Sequence, residues 1–297
     1  MGNFVRDEPT LDVNIEKFNR IKNCEFILIN DSFRKPSSLS RLKKKYESHN
    51  IHCVEVSKGN PGETRNAGIE IASGDWISFI DSDDFVEFSG YVDLVEKAQL
   101  AGADFAVGQY VRMLLADSGL TKTFVPSNQD SIEQLARDPG IWRMCFRRDL
   151  ISANRFTPMR MAEDQVFLLN LEFWKHKALF SRLPIYSYRT GVETQLTQTL
   201  DAFDDIKLSI GIFFDYLFNV SQERDDRKIV SIMLSSQLIS VFRRKPFKGP
   251  FLLAANLLRV RNSIRFTRTT LFLMRILIIE FLGRSRNFLV DKGNRNV

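Results

Sequence analysis

Apolar positions alternate between helix-like and strand-like spacing through the N-terminal two thirds of the chain, then settle into helical spacing. Leu11, Ile15 and Phe18 fall at i, i+4 and i+7, the pattern of one buried helix face. Glu25–Asn30 (EFILIN) is a short apolar run that ends in Asp31 and reads as a buried strand. Leu39, Leu42 and Tyr46 mark a second helix and Ile51–Val56 a second strand. After the Gly59–Gly62 turn a helix is expected from about Thr64 to Ala72, then a strand over Trp76–Ile80. A helix near Tyr91–Leu100 leads to a strand at Asp104–Val111; Ile141–Phe146 reads as a strand and Glu163–Lys175 as a helix. From Asp201 onward only helices are expected. Strands separated by helices indicate an α/β domain with a mostly parallel central sheet. The expected organisation is such a domain over residues 1–200 and a helical C-terminal region over 201–297. The opening departs from this plan. Such a sheet usually begins with an apolar strand, which MGNFVRDEPT does not supply, so either the fold begins differently here or the first strand is missing. A start codon placed too late and a truncated protein both fit a missing strand.

Composition narrows the class. A chain of 297 residues accommodates one large domain, or one domain and a smaller helical appendage. Cys24, Cys53 and Cys145 are scattered and lack CxxC spacing, which argues against a disulfide framework and a zinc site and for a reducing compartment. His49 and His52 fall at a helix-to-strand junction with only Cys53 nearby, short of the ligands zinc needs. No run reaches the ~18 apolar residues of a membrane span, and no cleavable signal peptide is recognised. Charge is unevenly distributed. From Phe242 to Val297 thirteen Lys/Arg face two acids, a net of +11, which leaves −5 for the remainder of a chain whose total is +6. A basic, helical end on a mildly acidic body suits an anionic surface. Apolar runs at Phe251–Leu258 and Leu271–Leu282, with basic flanks, fit peripheral contact with a membrane; a helical subdomain that happens to be basic is the other reading. Aromatics are not interleaved with the bases as a nucleic-acid stacking platform requires, so no nucleic acid is expected.

The candidate chemistry concentrates in Asn60–Glu87. The Trp76–Ile80 strand runs into Asp81, Asp83 and Asp84, and in an open α/β sheet the carboxyl ends of the strands form the ligand crevice. Asp81 and Asp83 flank Ser82 and share a side of an extended segment, which suits Mg²⁺ or Mn²⁺ bound with phosphate oxygens. An acidic loop that caps the next helix is the alternative. Upstream, ETRNAG (Glu63–Gly68) offers Arg65 as a planar fork for an anion or base edge, or merely an exposed arginine at a loop-to-helix junction. It is neither a Walker A loop nor GxGxxG. Asp31 ends a strand on the same rim and could equally be a turn former. In MAEDQVFLLNLEFW, Asp164 lines up with Phe167, Leu168 and Leu171 on an apolar stripe. A carboxylate there suits a general base, or simply the N-terminal charge of a helix.

Together INDS (Ile29–Ser32), GETRNAGI (Gly62–Ile69), ASGDWISFIDSDD (Ala72–Asp84), AEDQVF (Ala162–Phe167) and LPIYSYR (Leu183–Arg189) resemble the family 2 glycosyltransferases, inverting enzymes of the GT-A fold. The resemblance covers about Glu25 to Thr199. It implies a nucleotide-diphospho-sugar donor, a glycan or lipid-linked acceptor, and work in bacterial cell-surface polysaccharide or glycolipid synthesis, in the cytoplasm or peripherally at the inner face of the membrane. By the same likeness Asp31, Arg65 and Asp81 would contact the nucleotide, and Asp83 would bind Mn²⁺ or Mg²⁺. Asp164 would deprotonate the acceptor. Asn30 stands where the family usually has the first Asp of a pair, and Thr64 where a small residue is common. The P-x-Y-N strand is absent, with Asn3 at about the distance of that motif's last residue. A catalytically inactive relative at the membrane surface is the alternative that this absence suggests.

Overall fold

The computed structural model describes residues 4–32, 39–116, 119–123, 130–190, 202–220, 223–244, 247–263 and 266–293. The chain divides into two compact units, one from Met1–Ser131 and Gly140–Ala202, the other from Ile132–Pro139 and Phe203–Val297. Asn3, at the expected site of the lost motif, lies outside the described residues.

The first unit opens with helix α1 (Phe4–Phe18), which buries Leu11, Ile15 and Phe18 as their spacing requires. Phe18 packs on Phe26 and Phe88 with ring centroids 5.3 and 5.5 Å apart. Strand β1 (Phe26–Asp31), helix α2 (Leu39–Tyr46) and strand β2 (Ile51–Val56) follow, and β1 and β2 pair in parallel with Asp31 opposite Val56. Helix α3 (Pro61–Ile71) begins where the sequence supplies a cap: Asn60 accepts the Glu63 N–H at 2.8 Å and Pro61 occupies the first turn.

Next come β3 (Trp76–Ser78), β4 (Phe85–Val86), α4 (Phe88–Ala101), β5 (Phe105–Ala116) and β6 (Gly119–Thr123). After α5 (Ile132–Arg137) the chain returns as β7 (Met144–Arg147), α6 (Arg148–Ser152), α7 (Glu163–Asn170) and β8 (Ala178–Thr190). The second sheet runs β3-β7-β5-β8-β4, with β6 on β5. Here the expectation of a mostly parallel sheet is corrected. β5 and β8 are parallel, but β7 is antiparallel to both β3 and β5, β4 is antiparallel to β8, and β5 and β6 form an antiparallel pair. Parallel neighbours need a crossover, whereas a strand entering from the opposite end inserts antiparallel. β7 is such a strand, wedged between β3 and β5 after the β5–β6 return.

Several boundaries shift from their expected places: β3 stops at Ser78 rather than Ile80, and α3 starts at Pro61 rather than Thr64. Ile141–Arg143 form a 3-10 turn before β7, and α7 stops at Asn170 because Glu172 takes a left-handed conformation (φ 50°). A separate 3-10 turn covers Phe173–Lys175.

The second unit is helical. α8 (Ala202–Asp215) leads through a π turn (Tyr216–Val220) to α9 (Arg224–Arg244), α10 (Lys248–Arg259) and α11 (Phe266–Gly293). α9 is its centre, with Val230, Met233, Leu234, Leu238 and Ile239 fully or almost fully buried, and α5, α10 and α11 packed against it. Arg137 of α5 donates through Nε to both carboxylate oxygens of the buried Glu280 on α11, at 2.9 and 3.0 Å. None of the described helices is long and apolar enough to cross a membrane.

Candidate active site

The site forms where α3, the turn after β3 and the N-terminus of α7 meet in the first unit. Gly62 permits the approach: a Cβ there would lie 2.3 Å from the Thr157 carbonyl oxygen, so a side chain would force the backbone apart. Asn66 then clasps that backbone. Its Nδ2 donates to the Phe156 carbonyl at 2.9 Å, and its Oδ1 accepts the Phe156 N–H at 2.8 Å. The Gly and Asn of GETRNAGI thus hold α3 against the segment leading into α7. At that entrance Ala162 carries φ 64°, an uncommon conformation for a residue with a Cβ, and Glu163 and Asp164 follow it.

Arg65 occupies the centre. Its Nη2 donates to Asp81 Oδ1 at 2.9 Å and its Nη1 to Glu163 Oε1 at 2.5 Å, with its guanidinium 5.7 Å from the centroid of Phe156. Burial pulls the Arg65 pKa down, but the Asp81 and Glu163 carboxylates outweigh it and leave the pKa raised. The guanidinium therefore remains charged and ties the turn after β3 to the base of α7.

Asp164 lies beside this pair, half-buried at the head of the stripe of Phe167, Leu168 and Leu171, all of them buried. Its Oδ1 accepts the Gln165 N–H at 2.7 Å. Burial first, then the negative charge of Glu163, push its pKa up to about 7, against the pull of Arg65. A carboxyl with that pKa exchanges protons near neutrality, as a general base does.

The three acids after β3 have different surroundings. Asp84 faces inward: it is 1% exposed, accepts the Tyr186 hydroxyl at 2.7 Å and the Arg189 N–H at 2.7 Å, and its carbonyl accepts from Asn14 Nδ2 at 2.8 Å. Burial, then the charges of Asp81 and Asp83, raise its pKa to about 8. The Tyr186 hydroxyl also accepts the Asp81 N–H at 3.3 Å, so LPIYSYR on β8 braces the turn that presents the other two acids. Asp81 and Asp83 are half-buried.

Among the described residues no group of three or more His, Cys, Asp or Glu is placed to hold a metal ion. The oxygen donors of Asp81 and Asp83 still suit a hard divalent cation that draws its remaining ligands from phosphate and water. Asp84, bound by Tyr186 and Arg189, is committed to the fold.

Asp31 stands somewhat apart. Its carboxylate accepts the Lys58 and Gly59 N–H groups at 3.1 and 2.9 Å and the Thr64 hydroxyl at 3.1 Å, which connects it to Arg65 through the preceding residue. Thr64, a departure from the small residue common in the family pattern, has a use here. Sequence reasoning missed Glu163 as the partner of Arg65, Asn66 as the clasp and Tyr186 as the brace. Their signals were in plain view, in the E-D pair, the R-N pair and the YSY run.

The comparisons agree with this geometry. Residues 4–145 match the model of glycosyl transferase family 2. The chain is 25% identical over 181 residues to the putative glycosyltransferase EpsH of Bacillus subtilis, which covers 56% of this chain and 52% of that protein. It is 28% identical over 160 residues to the poly(ribitol-phosphate) beta-glucosyltransferase of Bacillus spizizenii, covering 50% of this chain and 24% of that one. The chain therefore spans about half, or about a quarter, of the length of these relatives. In fold it is similar to S. aureus TarS (residues 1–349, solved with UDP-GlcNAc), with a TM-score of 0.67 at 14% identity over 94% of this chain and 89% of that one. The α/β unit and helical C-terminal region have the GT-A fold, and residues 4–145, just under half of the chain, are similar to glycosyl transferase family 2.

Proposed function

We propose that this chain transfers a glycosyl residue from a nucleotide-diphospho-sugar to a hydroxyl acceptor, with inversion at the anomeric carbon, in the assembly of a cell-surface polysaccharide or glycolipid. The observation that carries this reading is the Arg65 bridge, which joins Asp81 on the donor side to Glu163 beside Asp164. In this reading residues 1–200 are the catalytic domain and 201–297 a helical region in peripheral contact with a membrane.

Asp164 accepts the proton of the acceptor hydroxyl. The acceptor oxygen forms its bond to the anomeric carbon as the bond from that carbon to the diphosphate oxygen breaks, and the electron pair departs with the nucleoside diphosphate. Arg65 and Asp81 orient the nucleotide, and Asp31 holds the loop at Lys58–Gly59 beside it. Asp83, with Asp81, would hold Mn²⁺ or Mg²⁺, and when bound that ion neutralises the departing diphosphate. Asp164 works best when the acceptor displaces water, since burial is what raises its basicity.

The test is nucleotide release from a panel of nucleotide sugars, with UDP-GlcNAc first because TarS was solved with it. One donor is expected to turn over with the native chain and to bind, without turning over, in Asp164→Asn. In calorimetry Asp83→Ala is expected to lose Mn²⁺-dependent nucleotide binding. A native chain that binds none of the donors, with or without Mn²⁺, would sink the proposal.

A further inference from the structure

The second unit buries one face of α10 and α11 and leaves the opposite face apolar. On α10, Gly249, Leu252 and Asn256 face inward, while Phe247, Phe251, Ala254 and Leu258 recur at i, i+4, i+7 and i+11 on the outside. Phe247 is 94%, Phe251 76% and Leu258 63% exposed. On α11, Thr269, Leu273 and Leu277 face inward, and Arg268, Leu271, Arg275, Ile278 and Leu282 form the outer stripe. Aromatic and aliphatic groups this exposed, in two successive helices, exceed the scattered apolar residues of an ordinary surface.

Charge identifies the occupant. Between Phe247 and Leu282 the sequence has six Lys/Arg and one acid, Glu280. That acid is 5% exposed and bound by Arg137, so it contributes no negative charge to the outer faces. Arg259 is neutralised by Asp215 at 2.7 Å, but Arg261, Arg268 and Arg275 are exposed. A second copy of the chain, docked face to face, would bring together two faces that carry arginines and no exposed acid between Phe247 and Leu282. An anionic phospholipid surface offers both what the stripe needs: hydrocarbon for the Phe and Leu side chains and headgroup charge for the arginines.

We infer that the outer stripes of α10 and α11 are a docking face for an anionic bilayer, entered by Phe247, Phe251, Leu258, Leu271 and Ile278 and steered by Arg261, Arg268 and Arg275. This specifies the membrane contact named above. It does not depend on glycosyl transfer, so the Asp164→Asn variant binds vesicles as the native chain does.

The experiment is co-sedimentation of the full chain with phosphatidylcholine vesicles, with and without a third of phosphatidylglycerol, at low and high salt. Binding is expected only to the anionic vesicles and is expected to weaken as salt screens the arginines. Phe251→Glu with Leu258→Glu is expected to lower partitioning at least tenfold. Its melting temperature and nucleotide binding stay at the native values. Arg268→Ala and Arg275→Ala are each expected to cost about fivefold, the equivalent of about 1 kcal/mol per basic residue. Equal binding to neutral vesicles, no binding at all, or full binding by the double glutamate variant would overturn the inference. So would a native dimer in ultracentrifugation that the double variant converts to monomer without any vesicle binding, since the face would then join two copies.

Discussion

Burial and the neighbouring Glu163 charge hold the proton on Asp164 until about pH 7, so in the proposed reaction the fraction of molecules with a deprotonated Asp164 climbs through neutrality. Turnover is therefore expected to rise with pH, with a midpoint near 7, and to level off above it; a pH–rate profile of nucleotide release checks this. Asp164→Asn is expected to lower turnover by about 10²- to 10⁴-fold, the usual contribution of a general base. The same shift carries a stability cost of definite sign. The unfolded aspartate loses its proton near 3.8 and the folded one near 7. Between these values the folded state binds more protons, so native stability falls as pH rises from about 4 to about 7, then stays level. Asp164→Asn escapes this loss. In thermal melts it is expected to match the native chain near pH 4 and to exceed it by a few degrees near pH 8. Arg65 predicts the opposite outcome. Its side chain and that of Glu163 are 16% and 10% exposed, so Arg65→Met leaves a buried carboxylate without its counter-charge. The expected loss is about 3–5 kcal/mol in denaturant unfolding, partly restored by adding Glu163→Gln. Arg65→Lys keeps the charge but lacks the fork that reaches Asp81 and Glu163 together, so it falls between the two.

Helix α3 shows how an element is placed by residues that perform no chemistry. With the Gly62 Cβ position 2.3 Å from a backbone oxygen, Gly62→Ala has to push α3 away from Thr157. The expected cost is about 1–3 kcal/mol, typical of overpacking. The displacement moves Arg65 and the entrance to α7 together, so turnover is expected to fall more than nucleotide binding does; comparing kcat with donor Kd separates the two. Much of this was legible in the chain. The i, i+4, i+7 spacing of α1 matches its buried residues, and the apolar run into Asp31 matches β1, although that strand is half-buried throughout rather than buried. The strand–acid junction at Trp76–Asp84 places Asp81 beside Arg65. Strand β8 was not legible, because ALFSRLPIYSYRT neither alternates nor runs continuously apolar. Pro184 within it also argues against a central strand, yet it stands opposite Gln109 at an irregularity in the β5–β8 register, where a missing N–H is tolerated. Strand direction was hidden for a related reason. Alternation of strand and helix says that a sheet exists, but the side from which β7 enters depends on contacts far apart in sequence. The inward turn of Asp84 was equally hidden, since Tyr186 and Asn14, its partners, lie 102 and 70 residues away.

At the scale of the whole molecule, the helical C-terminal region was legible from the spacing of its apolar positions, but its need for a segment from the middle of the chain was not. Ile132–Pro139 belongs to the second unit although both its sequence neighbours belong to the first. Its helix α5 supplies Leu135 and Ala136, both fully buried, and Arg137, the partner of Glu280. Lys228 on α9 is paired with Glu133 on the same segment. A fragment cut at 201–297 would therefore expose the apolar surface that α5 covers on α9 and leave the Glu280 carboxylate without its arginine. An uncompensated buried carboxylate and a lost apolar face are separate penalties, and both fall on a small helical core with little stability to spare. The fragment is expected to keep its helical circular dichroism while binding ANS and losing a cooperative calorimetric transition, the behaviour of a collapsed chain without fixed packing. Fusing residues 130–140 to its N-terminus through a flexible linker is expected to restore the transition, and Arg137→Ala within the fused segment to weaken it again. A fragment 201–297 that melted cooperatively on its own would show that α5 is dispensable, and would place the true boundary where the apolar spacing had put it.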